Sequence, residues 1–407
     1  MRGDASRRDV IIVGGGPAGS ALAAFLRQRE CDVLVLDAAR FPRDKVCGEA
    51  VSPAAWPLLD AMGAAPEIEA RRPHPLRGMR LTSPDGTSFQ GSFPPQNRPG
   101  FALRRRDLDA VLLRRARTLG AEVRERTRVT GLLRRGDVVE GVEAEGPDGE
   151  LHRWTARLVV GADGRQSVVA SRLRLRRPHA RLCRFAVRGY WEGMQGLGHH
   201  GEMHVGGGGY CGIAPLSPTL ANVAFVLPRH EMAEAAGNVE GFFRRALRCR
   251  WPRLAERLDR ACLVDRPRVI GPLAVEARAL VAPGALLIGD AAGFYDPFTG
   301  EGITLALRTS QIAASVVGEA LARVDVGEGL LAPLRAYEHA RRAATRDKFR
   351  FNRLLQIVVG CPDAANFMAR RLARRPDLAD QLVGIAGDFV PAGMALGPRF
   401  LWDLLMA

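Results

Sequence analysis

The apolar run Val10-Ile11-Ile12-Val13 leads straight into Gly14-x-Gly16-x-x-Gly19, and from there into Ser20-Ala21-Leu22-Ala23-Ala24-Phe25-Leu26. A buried strand that turns on glycines into a helix leaves few folds open. Gly14 permits the tight turn, Gly16 lets the backbone approach a pyrophosphate, and Gly19 lets the helix pack on the strand. Pro17 and Ala18 of this turn join the cofactor-binding candidates, and the phosphates rest on the positive N-terminus of the helix that follows. A second strand, Asp32-Val33-Leu34-Val35-Leu36, ends in Asp37, eighteen residues after Gly19, where a carboxylate can bridge ribose hydroxyls. The unit reads as βαβ, which implies a parallel sheet and a bound dinucleotide.

Two later segments choose among dinucleotides. Leu158-Val159-Val160-Gly161-Ala162-Asp163-Gly164 is a strand ending in Ala-Asp-Gly. Ala285-Leu286-Leu287-Ile288-Gly289-Asp290-Ala291-Ala292-Gly293 delivers a second aspartate, and Asp296-Pro297-Phe298-Thr299-Gly300-Glu301-Gly302-Ile303 opens a helix. Asp290 is placed to accept from a ribityl hydroxyl, a group that NAD lacks. The amides of Gly300, Gly302 and Ile303 can face the pyrimidine edge of a flavin, where negative charge collects on reduction. The three segments in this order point to FAD.

The rest of the 407-residue chain is read for organisation. The net charge of +15 invites a nucleic-acid reading. Only Lys45 and Lys348 are lysines, however, and the arginines are dispersed rather than interleaved with aromatics, so no nucleic-acid partner is expected. No segment reaches the ~18 apolar residues of a membrane span. A peripheral contact with an anionic membrane surface stays open, with the apolar stripe Phe389-Val390-Pro391…Phe400-Leu401-Trp402-Asp403-Leu404-Leu405 as its candidate or as a lid. The N-terminal apolar run is too short for a signal peptide. Seven scattered cysteines without a C-x-x-C pair argue against disulfides and zinc, so a reducing, cytoplasmic setting is expected. His199, His200, Glu202 and His204 do not form a His-Glu-x-x-His helix, and no metal is expected. Glu202 and His204 do share one strand face, which makes a substrate-facing role an option for His204.

The expected fold is α/β. A Rossmann-like, discontinuous FAD-binding domain with a parallel sheet takes residues 1–75, 101–180 and 271–325. An antiparallel substrate domain takes 76–100 and 181–270, and a helical region takes 326–407. Residues 38–100, dense in proline, read as irregular. Pro333 and Pro362 read as helix breaks.

In the order of its motifs the sequence resembles the flavoprotein aromatic-hydroxylase fold typified by para-hydroxybenzoate hydroxylase. Asp44-Lys45-Val46-Cys47-Gly48-Glu49 and the 289–303 segment are similar to the geranylgeranyl reductase-type branch, which borders on the flavin-dependent halogenases. The resemblance spans roughly residues 9–325. It implies that Arg105, opening an Arg-x-x-Leu-Asp helix, reaches the FAD and that the loop carrying Cys47 and Gly48 lies against the isoalloxazine. Cys47 reads as a filler beside the ring or as a redox thiol, and Lys45, Gly48 and Glu49 as positioning residues. Arg43 and Val129 complete the cofactor-binding candidates.

The resemblance also separates three chemistries. Halogenases of the branch are expected to carry a lysine between Gly63 and Leu81 and a Trp-x-Trp-x-Ile-Pro segment; this chain has neither. Prenyl reductases are expected to show Tyr-x-Trp-x-Phe-Pro, whereas this chain reads Tyr210-Cys211-Gly212-Ile213-Ala214-Pro215. Two bulky side chains are replaced by Gly212 and Ala214, leaving space for a thicker substrate. No second Gly-x-Gly-x-x-Gly appears in a strand–helix context, as expected where NAD(P)H only visits. The first expectation is therefore an NAD(P)H- and O2-dependent FAD monooxygenase acting on a hydrophobic aromatic, polyketide or prenylated small molecule. The alternative is a flavin-dependent reductase of isoprenoid C=C bonds. Catalytic candidates are Cys47, Tyr210 and His204.

Overall fold

The computed structural model describes residues 7–94, 98–179, 182–235, 237–324, 327–388, 390–395, 397, 400 and 402–403. Strand Arg8–Val13 lies at the centre of a sheet, parallel to Leu151–Gly161 on one side and to Val33–Leu36 on the other. Ala285–Leu287 extends the sheet beyond Leu151–Gly161, and Glu122–Arg124 extends it beyond Val33–Leu36, both in parallel. The central strands are continuous apolar runs because helices cover the sheet. Helix Pro17–Arg27 packs against helices Arg105–Thr118 and Gly302–Arg323, and Ser310 Oγ donates to Ala18 O at 2.8 Å. The hairpin Arg128–Arg135/Val138–Glu145 turns at Gly136 and joins the long strand Leu151–Gly161.

A second sheet is built mainly from Gly78–Thr82, Ser88–Ser92, Arg184–Glu192, His200–Gly206, Gly209–Pro215 and Ala221–Pro228. It is antiparallel except where His200–Gly206 runs parallel to Gly78–Thr82. The two faces alternate with period two. Val187, Trp191, Cys211, Ile213, Val223 and Phe225 bury against helices Val239–Arg250 and Pro252–Leu258. The opposite face looks toward the nucleotide-binding sheet.

Residues 38–100 are not irregular. They hold helices Trp56–Met62 and Ala65–Ala70 together with short strands. Pro53, Pro57 and Pro66 stand in the first turn of helical elements, where a missing N–H costs nothing, so residues read as loop markers are helix starts. Pro333 likewise lies inside the first turn of helix Leu331–Val359 and does not break it, while Pro362 opens helix Pro362–Arg374. The C-terminal helices enclose their own cluster, with Phe351, Leu372, Leu378 and Ile385 packed around Phe89 of the second sheet. Of the apolar stripe, Phe389, Leu401, Leu404 and Leu405 lie outside the described residues; Phe400 is buried and Trp402 exposed. Among the described residues, no helix is long and apolar enough to cross a membrane.

One lysine ties these helices to the nucleotide-binding part. Lys348 Nζ, 9% exposed as a residue, pairs with Glu301 at 2.8 Å and Asp388 at 2.5 Å, and donates to Ile385 O at 3.1 Å. Asp388 keeps Arg308 at 3.0 Å, but removing Lys348 strands the buried Glu301 carboxyl, and breaking a buried pair on one side costs up to about 3–5 kcal/mol. Lys348→Met is therefore expected to lower the thermal midpoint by several degrees in calorimetry. An unchanged midpoint would show that the cluster contributes nothing net.

Candidate functional site

The first strand ends where three backbones meet. Gly14 has φ +102°, and a Cβ there would stand 2.6 Å from Ala162 O, so this crossing admits only glycine. A Cβ on Gly19 would meet Gly14 O at 1.9 Å; Gly19 serves helix–strand packing and does not line the cavity. Gly16 is different, since a Cβ there would meet only Arg43 Nη2, at 3.4 Å. Its missing side chain is open space facing a cavity of about 570 Å³. Pro17, Ala18, Asp37 and Val129 line the same cavity. The Asp37 oxygens accept from Gly15 N at 2.7 Å and Ala39 N at 2.8 Å, which fixes the carboxylate and leaves each oxygen able to accept once more.

Next along the cavity is a cationic stretch. Asp109, fully buried, accepts from Arg105 Nε at 2.7 Å, Arg105 Nη2 at 2.8 Å and Arg43 Nη1 at 3.0 Å. Burial works against the Arg105 charge, but Asp109 and the adjacent Cys47 raise its pKa above the usual arginine value. Lys45 is pulled below its ordinary value by burial and by Arg43, Arg105 and Arg165, with Asp290 opposing. Four cations converge here on few acids, which is the complement of a diphosphate. Asp109 is the acid that ends the Arg-x-x-Leu-Asp motif opened by Arg105; it is not among the candidate residues, although its place four residues on along a helix carries the signal.

The second and third motifs close the far side. Asp163 Oδ2 accepts from Val168 N at 2.6 Å, whereas the buried Oδ1 has no hydrogen-bond partner, and burial raises its pKa. An orphaned buried acceptor in the wall of a cavity is a place for a ligand donor. Gly164, Gly289, Asp290, Pro297, Gly300, Gly302 and Ile303 all line the cavity. The 22-residue helix Gly302–Arg323 begins there, so its first amides stand at the cavity wall. Gly16, the cationic stretch, the Asp163 orphan and this helix start together fit FAD, whose bound flavin would supply two-electron chemistry in this cleft.

Gly48 and Cys47 also line the cavity, and residues of the second sheet line its apolar chamber. The strand register sets one row of neighbours: Arg188, Ala224, Gly212, Met203, Leu81 and Phe89. Gly212, Ala214, Ala224 and Met203 line the chamber, so its wall beside the cofactor cleft is built largely of small residues. Tyr210 lines it too, but its hydroxyl is spent on Asp296, and its ring meets Phe298 edge-on at 5.0 Å. Burial and the Asp296 carboxyl hold the Tyr210 phenol neutral, well above its usual range. Tyr210 thereby ties the second sheet to the loop that carries Pro297.

His204 is set apart from the chamber. Glu202 pairs with Ile213 and His204 with Cys211, so both side chains share the face packed on the helices. There the Glu202 carboxylate accepts from Arg257 at 2.7 and 3.0 Å and lies 3.0 Å from His204 Nε2, partners that hold its pKa down at about 2 despite burial. The shared face was legible; which face it is follows only from the register. Among the described residues, no group of His, Cys, Asp or Glu is arranged to hold a metal. Glu49, which the sequence offers as a positioning residue, clusters behind the Cys47 loop with Tyr190 and Asn222, to which no local pattern points.

The family described as an FAD binding domain matches residues 7–352. The chain is 31% identical over 342 residues to digeranylgeranylglycerophospholipid reductase of Methanothrix thermoacetophila, covering 80% of this chain and 82% of the relative. It is 30% identical over 340 residues to 6-methylpretetramide 4-monooxygenase of Streptomyces rimosus, covering 81% and 79%. Among solved structures, the flavin-dependent brominase Bmp2 superposes with a TM-score of 0.82 at 21% identity, over 98% of this chain and 99% of that one, which speaks to the fold alone. The glycine crossing, the cationic cleft and the family match lead to one conclusion: this chain belongs to the FAD binding domain family and is an FAD-dependent oxidoreductase.

Proposed function

We propose that the protein is an NAD(P)H- and O2-dependent monooxygenase that hydroxylates or epoxidises a thick, apolar small molecule of aromatic, polyketide or prenylated type. The observation that carries this reading is the small-residue wall Gly212, Ala214 and Ala224 where the chamber meets the cofactor cleft. A wall of this kind leaves depth for a fused ring rather than a slot for a single chain. The relative that acts as a 6-methylpretetramide 4-monooxygenase supports it. In this reading Gly14, Gly16, Pro17, Ala18, Asp37 and Val129 hold the adenosine and diphosphate end, with Gly19 supporting the turn. Arg43 and Arg105 neutralise the phosphates. Asp163, Gly164, Gly289, Asp290, Pro297, Gly300, Gly302 and Ile303 hold the ribityl and flavin end, beside Cys47 and Gly48. NAD(P)H is the transient reductant, and the enzyme works in the cytoplasm, where that reductant is supplied. The chamber's apolar walls exclude water from the reacting face.

A second reading, reduction of isoprenoid C=C bonds, is favoured by the 31% identity to a digeranylgeranylglycerophospholipid reductase. Product mass separates the two. Holoprotein with NADPH under labelled dioxygen is offered a panel of polycyclic phenols and of geranylgeranyl compounds. The proposal expects the gain of one labelled oxygen atom; a gain of two hydrogens and no oxygen would overturn it.

A further inference from the structure

Helix Pro376–Ala386 lies on Ser88–Ser92, the edge strand of the second sheet. A Cβ on Gly91 would stand 2.3 Å from Ala379 O, and Phe89 packs with Leu378, Ala379, Leu382 and Ile385. Ser92 N donates to Asp380 Oδ1 at 2.7 Å. Held this way, the helix ends at the cavity, whose wall includes Ala386 and Gly387 together with Ser52 and Phe93.

The same turn is fastened to the cofactor side. Ser52 Oγ donates to Gly387 O at 3.1 Å and accepts from Thr304 Oγ1, in the first turn of helix Gly302–Arg323, at 3.4 Å. Arg308, one turn further along that helix, pairs with Asp388 at 3.0 Å. Lys348 Nζ donates to Ile385 O and bridges Asp388 to Glu301, which stands between Gly300 and Gly302. Four ties from three elements thus fix one turn, and a wall whose support is locked keeps its distance to a ligand.

The composition of this wall makes it selective. Ala386 is half-buried at the cavity with a single methyl as its side chain, so the size of this residue sets the room there. The charges of the seam are spent on one another, and among the described residues Glu301, Arg308, Lys348 and Asp388 do not line this cavity. The wall therefore meets an uncharged, apolar part of a ligand. It lies beyond residue 352, where the match to the FAD binding domain family ends, and so outside the region that carries the cofactor-binding motifs.

We propose that Ala386 is a specificity-determining residue, the point at which the C-terminal helices limit the thickness of an uncharged, apolar substrate, and that Asp388 and Lys348 are positioning residues that hold it there. This role rests on the reading of the chamber as the substrate's place, which oxygen transfer and C=C reduction share. Ala386 adds to the Gly212 wall a second one from a different part of the chain.

The test uses FAD-loaded protein at pH 7 with 1-naphthol as an uncharged fused-ring probe, read by the shift of the flavin visible band. Ala386→Trp is expected to keep the wild-type FAD content while the dissociation constant for 1-naphthol rises at least about tenfold. The new indole should also shorten the flavin excited-state lifetime, a readout that needs no ligand. Asp388→Ala is expected to weaken 1-naphthol binding about threefold or more at unchanged FAD content, with Asp388→Asn recovering part of it. A merely structural Asp388 would lower the melting midpoint alone. An Ala386→Trp protein with the wild-type lifetime, or with wild-type affinity for 1-naphthol, overturns the proposal, and so does an Asp388→Ala protein altered only in its melting midpoint. If 1-naphthol leaves the wild-type band unmoved, the lifetime decides alone. If Ala386→Trp does not fold, Ala386→Leu carries the same binding test, with a weakening of at least about threefold expected. None of these readouts depends on the product formed, so the product-mass experiment fails or succeeds separately.

Discussion

Gly16→Val is expected to give a folded but colourless protein. Its Cβ would meet nothing of the protein closer than Arg43 Nη2, at 3.4 Å, so the apoprotein should keep its stability to within about 0.5 kcal/mol, as substitutions away from packed features do. The same side chain would fill the space over which the Pro17–Arg27 helix presents its first amides. FAD affinity should then fall at least about 100-fold, or ~2.8 kcal/mol, read by fluorescence titration of the apoprotein. Gly14→Ala makes the contrast. Its Cβ would press on Ala162 backbone from a φ that alanine resists, so stability and cofactor should be lost together. A Gly16→Val protein that retained tight FAD would remove the diphosphate from the place assigned to it.

Gly212→Trp should produce the opposite phenotype, a yellow protein that no longer turns over thick substrates. The new Cβ would meet Met203 Cε at 3.5 Å, an ordinary contact, and aromatic residues suit a strand. The indole would extend across the chamber from a strand that contributes no phosphate or ribose contact. FAD content should stay at wild-type level while kcat/KM for a polycyclic substrate falls on the order of 100-fold, the scale set by displacing a substrate about 1 Å from its reacting partner. Thin isoprenoid chains should suffer less. Equal losses for both substrate shapes would mean that the Gly212 wall does not select for thickness.

How far the sequence reveals this site depends on the range of the interaction. The glycine crossing was legible because each glycine answers a local demand, and the structure returns the demands as a close approach at Gly14, another at Gly19 and open space at Gly16. The aspartates of the second and third motifs were legible as strand ends. Asp109 was within reach of helical spacing from Arg105 but was passed over. The prolines between residues 38 and 100 misled because the same residue that breaks a helix interior is welcome in its first turn. His204 misled for a different reason: period two says which side chains share a face, and only the pairing of His204 with Cys211 says that this face meets helices rather than the chamber. Glu49, Tyr190 and Asn222 come from three distant stretches, and no local pattern brings them together. The Lys348 cluster has the same origin, joining a loop, a long helix and the segment just after helix Pro376–Ala386.

Strand ends from three separate stretches are expected to grip one flavin nucleotide. The most direct measurement is the visible spectrum of the purified protein with its cofactor released by denaturation and quantified. The protein should show flavin absorbance and one FAD per chain, either as purified or after incubation with FAD. Protein that is colourless and takes up no FAD when it is supplied would contradict it.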